Sequence, residues 1–464
     1  MFFQHIYEKG LAQASYLVGC QASGTAIVID PKRDIDTYLE IAKKERLKIT
    51  HVTETHIHAD FLSGTRELAV ATGAQILLSD EGGPDWLYQY DHTALKDGQT
   101  FMVGNLKFQV MHTPGHTPEH ISFLLTDVPT GDQPVMMFTG DFVFVGDVGR
   151  PDLLEKAAGI SGTMEIGARQ MFHSLKKFKA LPDFIQVWPG HGAGSACGKA
   201  LGAVPSSTVG YQKLFNWALR IDNEKTFVET LLDGQPEPPK YFAMMKKFNK
   251  AGAKILKEDH GVKKLTLDEL QTALAQGMPL IDTRHKSDFA GGHIPGSISI
   301  PDNASFSTWA GWLLEYEKQF LLIAAEHRIG EIRKALIRIG LDSVVGYFSD
   351  IEEWAETHEL ETLEQITACD LYNHIKEKNV HVIDVRSKSE FDSGHLPGAL
   401  HIHGGHLKDR LKEIPADKKL IIQCQSGDRS NIASSVLLAN GFKNVANLSG
   451  GINAWKHEGL PVEK

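Results

Sequence analysis

The stretch THIHADF, residues 55–61, is the most informative part of this chain, because it brings two histidines and an aspartate together. His56 and His58 alternate, so in an extended segment both project from one side and can reach a single ion. Two histidines near an aspartate are more often solvated or hydrogen-bonded than metal-bound. The motif therefore predicts a metal site only if further ligands occur elsewhere in the chain.

Such ligands follow at three places downstream. His116 lies in the turn of MHTPGHTPEH, Asp141 follows the apolar run 135–138 and the pair Thr-Gly, and His191 lies in VWPGHG after another apolar run. Glycines beside these residues permit close backbone approach, and strand ends on a rigid sheet hold ligands in place. The four segments together predict a preorganised metal site.

In order and spacing, these segments resemble the metallo-β-lactamase superfamily, and residues 1 to about 250 resemble its persulfide dioxygenases. The resemblance implies an αββα fold and one Fe(II) per chain, held by His56, His116 and Asp141. Spacing alone does not choose His56 over His58. Two imidazoles and one carboxylate on Fe(II) leave open positions for a sulfur ligand and for O2.

Phe61 argues against a second metal ion. A binuclear hydrolase of the same fold would use Asp60, His191 and a histidine at position 61 for a second zinc, and phenylalanine cannot ligate a metal. His58, Asp60 and His191 are therefore predicted to orient the ligands, bind substrate or accept a proton.

Composition indicates a multidomain soluble enzyme. The chain has 464 residues and a net charge of −10 without a charged block, which favours neither nucleic acid nor a membrane surface as partner. Glu8 and Lys9 come too early for a secretory signal, and the few scattered cysteines are typical of a reducing compartment. We expect a cytoplasmic protein that forms a homo-oligomer.

A reactive thiol is predicted at Cys424. The segment KKLIIQCQSGDRSNIASSVLLANG reads as an apolar strand, a glycine-containing loop and a helix that opens near Ser430. Loop N–H groups and a helix N-terminus stabilise negative charge on the sulfur, and Arg429 adds a fixed cation. The Cys424–Arg429 loop resembles that of rhodanese sulfurtransferases, whose cysteine carries a persulfide. The alternative is a buried structural cysteine.

An internal repeat organises the C-terminal half. The rhodanese-like segment VIDVRSKSEFDSGHLPGALHI, with Asp384 and Arg386 as supporting residues, matches LIDTRHKSDFAGGHIPGSISI at a constant offset of 102 residues. Alignment of the apolar strands places Ala325 where Cys424 stands, so the first repeat lacks the thiol. The predicted domains are the metal domain (1–255), a degenerate rhodanese-like α/β domain (262–358) and an active rhodanese domain (364–464).

Two further residues are candidates for substrate binding. Cys197 lies in GHGAGSACGKALGAVPSS, directly after His191, and either handles sulfur or packs in a tight loop. Arg150 either binds an anionic part of the substrate or ties down the metal loop. This glycine-rich stretch and the segment PEPPKYFAMMK resemble bacterial dioxygenase–rhodanese fusions of the staphylococcal type, which act in sulfide detoxification. The resemblance covers essentially the whole chain.

The resemblance implies a persulfide dioxygenase coupled to a sulfurtransferase. A thiol persulfide, based on glutathione, coenzyme A or bacillithiol, would react with O2 to give sulfite and thiol. Cys424 would pass sulfur between persulfide, sulfite and thiosulfate. Two alternatives stay open: a zinc thioester hydrolase resembling glyoxalase II, fused to a sulfurtransferase, and a persulfide sensor or carrier without enzymatic activity.

Overall fold

The structure, a computed structural model, describes residues 1–153, 155, 162–199, 201–256 and 261–464. The chain divides into two compact units. One comprises Met1–Asp259 with Ile337–Gly340, and the other His260–Leu336 with Leu341–Lys464. The boundaries of the three domains that the sequence predicts stay predictions.

In the described part of the first unit, two six-stranded sheets pack face to face. In spatial order, the first sheet contains β1 (Phe2–Glu8), β2 (Gln13–Cys20), β3 (Thr25–Ile29), β4 (Lys48–Thr53), β5 (Gln75–Ser79) and β6 (Thr93–Leu95). The second sheet contains β12 (Ser207–Thr208), β11 (Gln186–Pro189), β10 (Met136–Gly140), β9 (Ile121–Asp127), β8 (Leu106–His112) and β7 (Thr100–Val103).

Helices surround the two sheets. They are α1 (Asp36–Lys44), α2 (Thr65–Thr72), α3 (Thr163–Lys179), α4 (Val209–Phe215), α5 (Glu224–Leu232) and α6 (Tyr241–Ala251), with 3₁₀ turns at Pro84–Trp86 and Trp217–Arg220. Tyr38 and Leu68 of α1 and α2 pack on the first sheet, and Met171 and Phe172 of α3 pack on the second. The αββα arrangement predicted for this region is confirmed.

Apolar side chains on both faces explain why these sheets are sandwiched between helices. Every residue of β2 is buried: Tyr16 points into the core between the sheets, while its neighbour Leu17 points toward α1. Successive side chains of a strand point to opposite faces, so a strand apolar throughout must be covered twice. The strand ends that carry the metal-binding segments therefore lie on a rigid double layer.

The second unit contains two parallel sheets. The four-stranded sheet has the order β14 (Ile298–Ser299), β13 (Leu280–Asp282), β15 (Phe320–Ile323), β16 (Val344–Phe348), and the five-stranded sheet has the order β17 (Glu364–Ile366), β21 (Val445–Leu448), β20 (Lys419–Gln423), β18 (Val380–Asp384), β19 (Leu400–His401). Each forms its own core, around Phe348 in the first sheet and Trp455 in the second.

Short helices connect the parallel strands, as the repeat predicts. They are α7 (Leu267–Ala275), α8 (Lys286–Gly291), α9 (Phe306–Leu313), α10 (Ile329–Ile337), α11 (Ile351–Ala355), α12 (Ala368–Glu377), α13 (Lys388–Asp392), α14 (Asp428–Ala439) and α15 (Gly451–His457), with 3₁₀ turns at Glu326–Arg328, Gly404–Asp409 and Leu411–Glu413. Among the residues described, no helix has the length and apolar character needed to cross a membrane.

Candidate functional site

The loop after β4 carries the THIHADF motif, and Asp30 at the end of β3 fixes it. The Asp30 carboxylate accepts hydrogen bonds from Thr55 N–H (2.6 Å) and Thr55 Oγ1–H (2.9 Å), and it contacts His58 Nε2 at 3.1 Å. Because β3 and β4 are parallel neighbours, their carboxyl ends bring Asp30 and this loop together. The backbone of the motif is therefore held before any metal binds.

His56, His116 and Asp141 meet at these strand ends. One ligand atom from each lies within 4.8 Å of the other two. Asp141 Oδ2 is 3.5 Å from His116 Nε2 and 3.9 Å from His56 Nε2, and all three residues are at most 1% exposed. The structure thus brings together the three side chains predicted as ligands.

The donor atoms fit a divalent metal. Within the described part of the chain, His56 Nε2 and both carboxylate oxygens of Asp141 are buried without a hydrogen-bond partner. Such polar atoms are costly to bury unpaired, and a cation would satisfy them. His116 Nδ1–H donates to the Arg150 carbonyl (2.9 Å), which turns Nε2 toward Asp141. Nitrogen and oxygen ligands of this kind suit Fe(II) or Zn(II).

Burial sets the charge states of these ligands. It lowers the pKa of both His56 and His116 well below the ordinary value, and neighbouring positive charges, including that of Lys246 for His116, lower them further. Burial raises the pKa of Asp141 to about 6. The two imidazoles are therefore neutral at physiological pH, which is the form that binds a metal.

A second cluster lies next to the first. Ligand atoms of Asp60, His191 and Cys197 also lie within 4.8 Å of one another, and all three residues are buried. His191 Nε2 is 3.3 Å from Asp60 Oδ2 and 3.5 Å from Asp141 Oδ1, while its Nδ1–H donates to the Ala12 carbonyl at 3.0 Å. Asp141 therefore faces both clusters, one carboxylate oxygen toward each.

Cys197 thus belongs to the second cluster and is only 1% exposed. Burial raises the pKa of its thiol well above the ordinary value, and the carboxylates of Asp141 and Asp60 raise it further. A thiol in this environment stays protonated unless a cation stands beside it. The sequence left open whether Cys197 handles sulfur or packs, and its position among Asp60, His191 and Asp141 favours a role in the site.

Phe61 and His58 pack against each other in the THIHADF motif. The Phe61 ring is buried, 4.3 Å from the His58 ring centroid, where it offers no ligand. Burial opposes charge on His58, but the Asp30 carboxylate outweighs it and raises the pKa of His58 to about 9. His58 is thus bound to Asp30 rather than grouped with the three ligand atoms.

Sequence reasoning missed residues that hold the ligands. His120 stacks on His56 (ring centroids 5.1 Å apart), and its Nε2 accepts from the Asp141 N–H at 3.1 Å. Glu119 Oε1 accepts from Ile57 N–H at 2.8 Å. Both His120 and Glu119 close the quoted segment MHTPGHTPEH, so the available signal was their position in that motif.

Arg150 is committed to contacts within the protein. Its Nε and Nη2 each lie 2.7 Å from a carboxylate oxygen of Asp152, and Nη1 donates to the Ala196 carbonyl at 3.1 Å. The side chain is completely buried. Of the two roles left open by the sequence, the geometry favours tying down the loops that carry His116 and Cys197, and the substrate role stays a prediction.

Cys424 occupies the strand end predicted for it. It directly follows β20 and is buried, and its Sγ accepts hydrogen bonds from the Gly427 N–H (3.1 Å) and the Ser430 Oγ–H (3.2 Å). Gly427 has a φ of +90°, which a glycine adopts without strain. Two donors and the start of α14 surround the sulfur, so the loop is built to stabilise negative charge there.

The sequence predicts Arg429 as a fixed cation near Cys424, and its guanidinium, whose charge interacts with Cys424, is held by an ion pair. Its Nη1 and Nη2 each donate to one oxygen of Glu390, both at 2.7 Å. Partial burial opposes ionisation of Glu390, but the Arg429 ion pair prevails and lowers the Glu390 pKa to about 2. The guanidinium therefore ties the loop to α13, because a bidentate pair satisfies its donors.

Asp384 and Arg386 form an ion pair that supports the backbone, and the first repeat contains an equivalent pair. Arg386 pairs with Asp384 and donates to the Gly394 carbonyl at 2.9 Å. Arg284 makes the same contacts, with Asp282 and with the Gly292 carbonyl at 2.8 Å. Because the repeat without a thiol keeps this arrangement, it serves the turn rather than sulfur chemistry.

The strand register shows which residue of the first repeat is equivalent to Cys424, and it corrects the sequence alignment. Asp384 pairs with Gln423, the residue before Cys424, and Asp282 pairs with Ile323. The equivalent of Cys424 is therefore Ala324, not the Ala325 expected from the sequence. The conclusion that this strand end lacks a thiol is unchanged.

Comparison with known proteins agrees with this architecture. The metallo-beta-lactamase superfamily matches residues 9–191, and the rhodanese-like domain matches residues 266–357 and 367–458. The crystal structure of a metallo-beta-lactamase from Staphylococcus aureus subsp. aureus COL is 45% identical, covers 75% of this chain and 98% of that chain, and has a TM-score of 0.67.

Two curated relatives are similar to part of this chain. Hydroxyacylglutathione hydrolase of Rhodospirillum rubrum is 34% identical over 176 residues, 38% of this chain, and the match spans only 60% of that relative's length. Persulfide dioxygenase ETHE1 of Bos taurus is 26% identical over 200 residues, which is 41% of this chain and 68% of that relative.

The chain belongs to the metallo-beta-lactamase superfamily and carries two rhodanese-like domains after its metallo-beta-lactamase domain. Together with the persulfide dioxygenase relative, this order of domains fits the dioxygenase–rhodanese fusion expected from the sequence.

Proposed function

We propose that the metallo-beta-lactamase domain is an Fe(II) persulfide dioxygenase and that the last rhodanese-like domain is a sulfurtransferase. The observation that carries the proposal is the buried cluster of His56, His116 and Asp141, with Phe61 in place of a further histidine. The overall reaction would be RSSH + O2 + H2O → RSH + SO3²⁻ + 2H⁺. The thiol R–SH is a low-molecular-weight carrier of the glutathione, coenzyme A or bacillithiol type.

The residues of the cluster would hold one iron per chain. Bound there, Fe(II) supplies the open coordination positions that oxygen chemistry requires. The Arg150 carbonyl orients His116, and the His120 ring accepts from the backbone of Asp141. These contacts fix ligand directions before substrate arrives, and burial of the ligands keeps water away from the reacting sulfur.

Sulfur transfer would take place at Cys424. Its thiolate attacks the outer sulfur of a persulfide, the S–S bond of the donor breaks, and the carrier leaves as RS⁻, which gives a Cys424 persulfide. Sulfite then attacks the outer sulfur, forms thiosulfate and returns the electron pair of the S–S bond to Cys424. Gly427 N–H and Ser430 Oγ–H are placed to stabilise the sulfur anion in both steps. Each step is reversible, so thiosulfate could also feed the sequence.

A specific observation also favours a second candidate function, a thioester hydrolase. The Asp60–His191–Cys197 cluster offers three ligand types that zinc accepts, and its members lie beside Asp141. Cys197 would then take the place of the histidine that Phe61 excludes. The hydroxyacylglutathione hydrolase relative supports this candidate.

Metal content and oxygen uptake distinguish the two candidates. The protein is purified anaerobically and offered glutathione persulfide and coenzyme A persulfide in parallel. About one iron per chain with persulfide-dependent oxygen consumption supports the dioxygenase, and the faster substrate indicates the carrier. About two zinc ions per chain with thioester hydrolysis and no oxygen uptake would transfer the assignment to the hydrolase. If neither activity is detected but sulfur is bound at Cys424, the protein would be a persulfide carrier.

A further inference from the structure

Lys246 occupies an unusual position for a lysine. It lies on α6, on the same buried face as Phe242, Met245 and Asn249, and it is only 9% exposed. Lysines are almost never buried unless they are paired, because an ammonium ion loses its hydration. The segment PEPPKYFAMMK, which has no role so far, ends at this residue.

The ammonium group of Lys246 is unpaired in the described part of the chain. Its Nζ is buried and has no hydrogen-bond partner there. By contrast, Lys32, which is equally buried, donates to Asp34 at 2.8 Å. The only aromatic contact recorded for Lys246 Nζ among these residues is the face of Trp86, 4.9 Å from the ring centroid. A buried cation left in this state costs stability, and such costs are typical of functional residues.

Lys246 lies on a helix that packs against the metal-binding loop, since Asn249 on the same buried face donates to the carbonyls of His58 and Phe61, both at 2.8 Å. Its charge interacts with Glu119 and Cys197, and it contributes to the lowered pKa of His116. Glu119 Oε2 also has no hydrogen-bond partner among the described residues, so Lys246 and Glu119 attract each other without a hydrogen bond between them. Burial lowers the pKa of Lys246 to about 8, so the group is still mostly protonated at neutral pH.

A cavity borders Trp86, the residue whose ring Lys246 contacts. It has a volume of about 210 Å³, and its walls include Trp86, Gly115 and Pro118. Gly115 precedes the ligand His116, and Pro118 precedes Glu119, so the cavity reaches the loop that carries the ligand. Trp86 joins the cavity to Lys246, because the ammonium group lies over that ring.

We propose that Lys246 is a substrate-positioning residue, whose ammonium group holds an anionic group of the thiol persulfide beside His56, His116 and Asp141. The inference rests on the proposed dioxygenase function. The anion has two sources in such a substrate, the sulfur terminus and a carboxylate or phosphate of the carrier. Either would supply the counter-charge that the folded protein leaves out.

The test compares Lys246→Met with Lys247→Met, a change at an exposed lysine next to it on the same helix. Iron content is measured for both variants. Calorimetric Kd values for coenzyme A and glutathione probe the carrier's anion, and a calorimetric Kd for sulfite probes the sulfur terminus. We expect Lys246→Met to weaken the binding of at least one of these ligands at least tenfold, and Lys247→Met to leave binding unchanged. The iron content should be unchanged in both variants.

A thermal unfolding curve separates this role from a structural one. Replacing an unpaired buried charge by an apolar side chain should leave Tm unchanged or raise it. Unchanged binding of all three ligands would overturn the proposal, and so would failure of both Lys246→Met and Lys246→Gln to fold. Absence of oxygen uptake by the wild-type protein would refute the dioxygenase function instead, and the binding measurements do not depend on that activity.

Discussion

Ser430→Ala tests whether the loop around Cys424 activates the thiol. Ser430 is completely buried, and its hydroxyl donates to Cys424 Sγ at 3.2 Å, one of the two recorded donors to that sulfur. A hydrogen bond to a charged group contributes about 1.5–3 kcal/mol, and about 1.4 kcal/mol corresponds to a tenfold change. The variant should therefore slow thiolate reactions of Cys424 about 10- to 100-fold at neutral pH.

The assay is the rate of iodoacetamide alkylation at Cys424, read by mass spectrometry because Cys369 is exposed and also reacts. Thiosulfate-dependent sulfur transfer is measured in parallel. The matched control is Ser434→Ala: Ser434 lies one turn later on α14, is equally buried, and its hydroxyl has no partner in the described residues. Equal rates for Ser430→Ala and the control would refute the argument that this donor stabilises the thiolate.

Three further predictions concern the two sites. Cys424→Ser should abolish sulfur transfer and leave persulfide-dependent oxygen uptake largely intact; loss of both activities in a folded variant would contradict separate sites. His116→Ala and Asp141→Ala should each remove bound iron, because each deletes one of three ligand atoms; full iron occupancy by metal analysis would show the ligand set to be wrong. Glu390→Gln should destabilise the fold by roughly 1 kcal/mol at pH 7, since screening weakens this partly exposed pair. Because the folded pKa is about 2 against an ordinary 4.5, the wild-type advantage is complete above pH 4.5 and is lost as pH falls toward 2; urea unfolding across that range measures it, and a difference independent of pH would exclude the ion pair as its cause.

Local sequence patterns anticipated the fold and the composition of the metal cluster. Strand-end motifs such as THIHADF fix where side chains project, and the parallel neighbours β3 and β4 bring those ends to one edge. The repeat was visible because Asp282 and Asp384 occupy the same position in two similar segments. Both signals are carried by short continuous segments of the chain.

Contacts between distant segments were not predictable in this way. Arg429 finds Glu390, a partner 39 residues away, and no spacing rule encodes that pair. The strand alignment was displaced by one residue, from Ala324 to Ala325, because a run of similar apolar side chains does not define register. The burial of Lys246 was equally hidden, since the charge pattern of α6 alone suggests an exposed lysine.

The carboxylate of Asp141 makes the metal and the thiol at Cys197 thermodynamically dependent on each other. One of its oxygens faces His56 and His116, and the other faces His191 in the cluster that contains Cys197. Any change of charge at Cys197, such as oxidation or persulfide formation, alters the free energy of the carboxylate and hence the affinity for a metal. Linkage is reciprocal, so metal binding must shift the ionisation of that thiol by the same free energy. Metal loading and the charge state of a single cysteine are thereby two coupled equilibria.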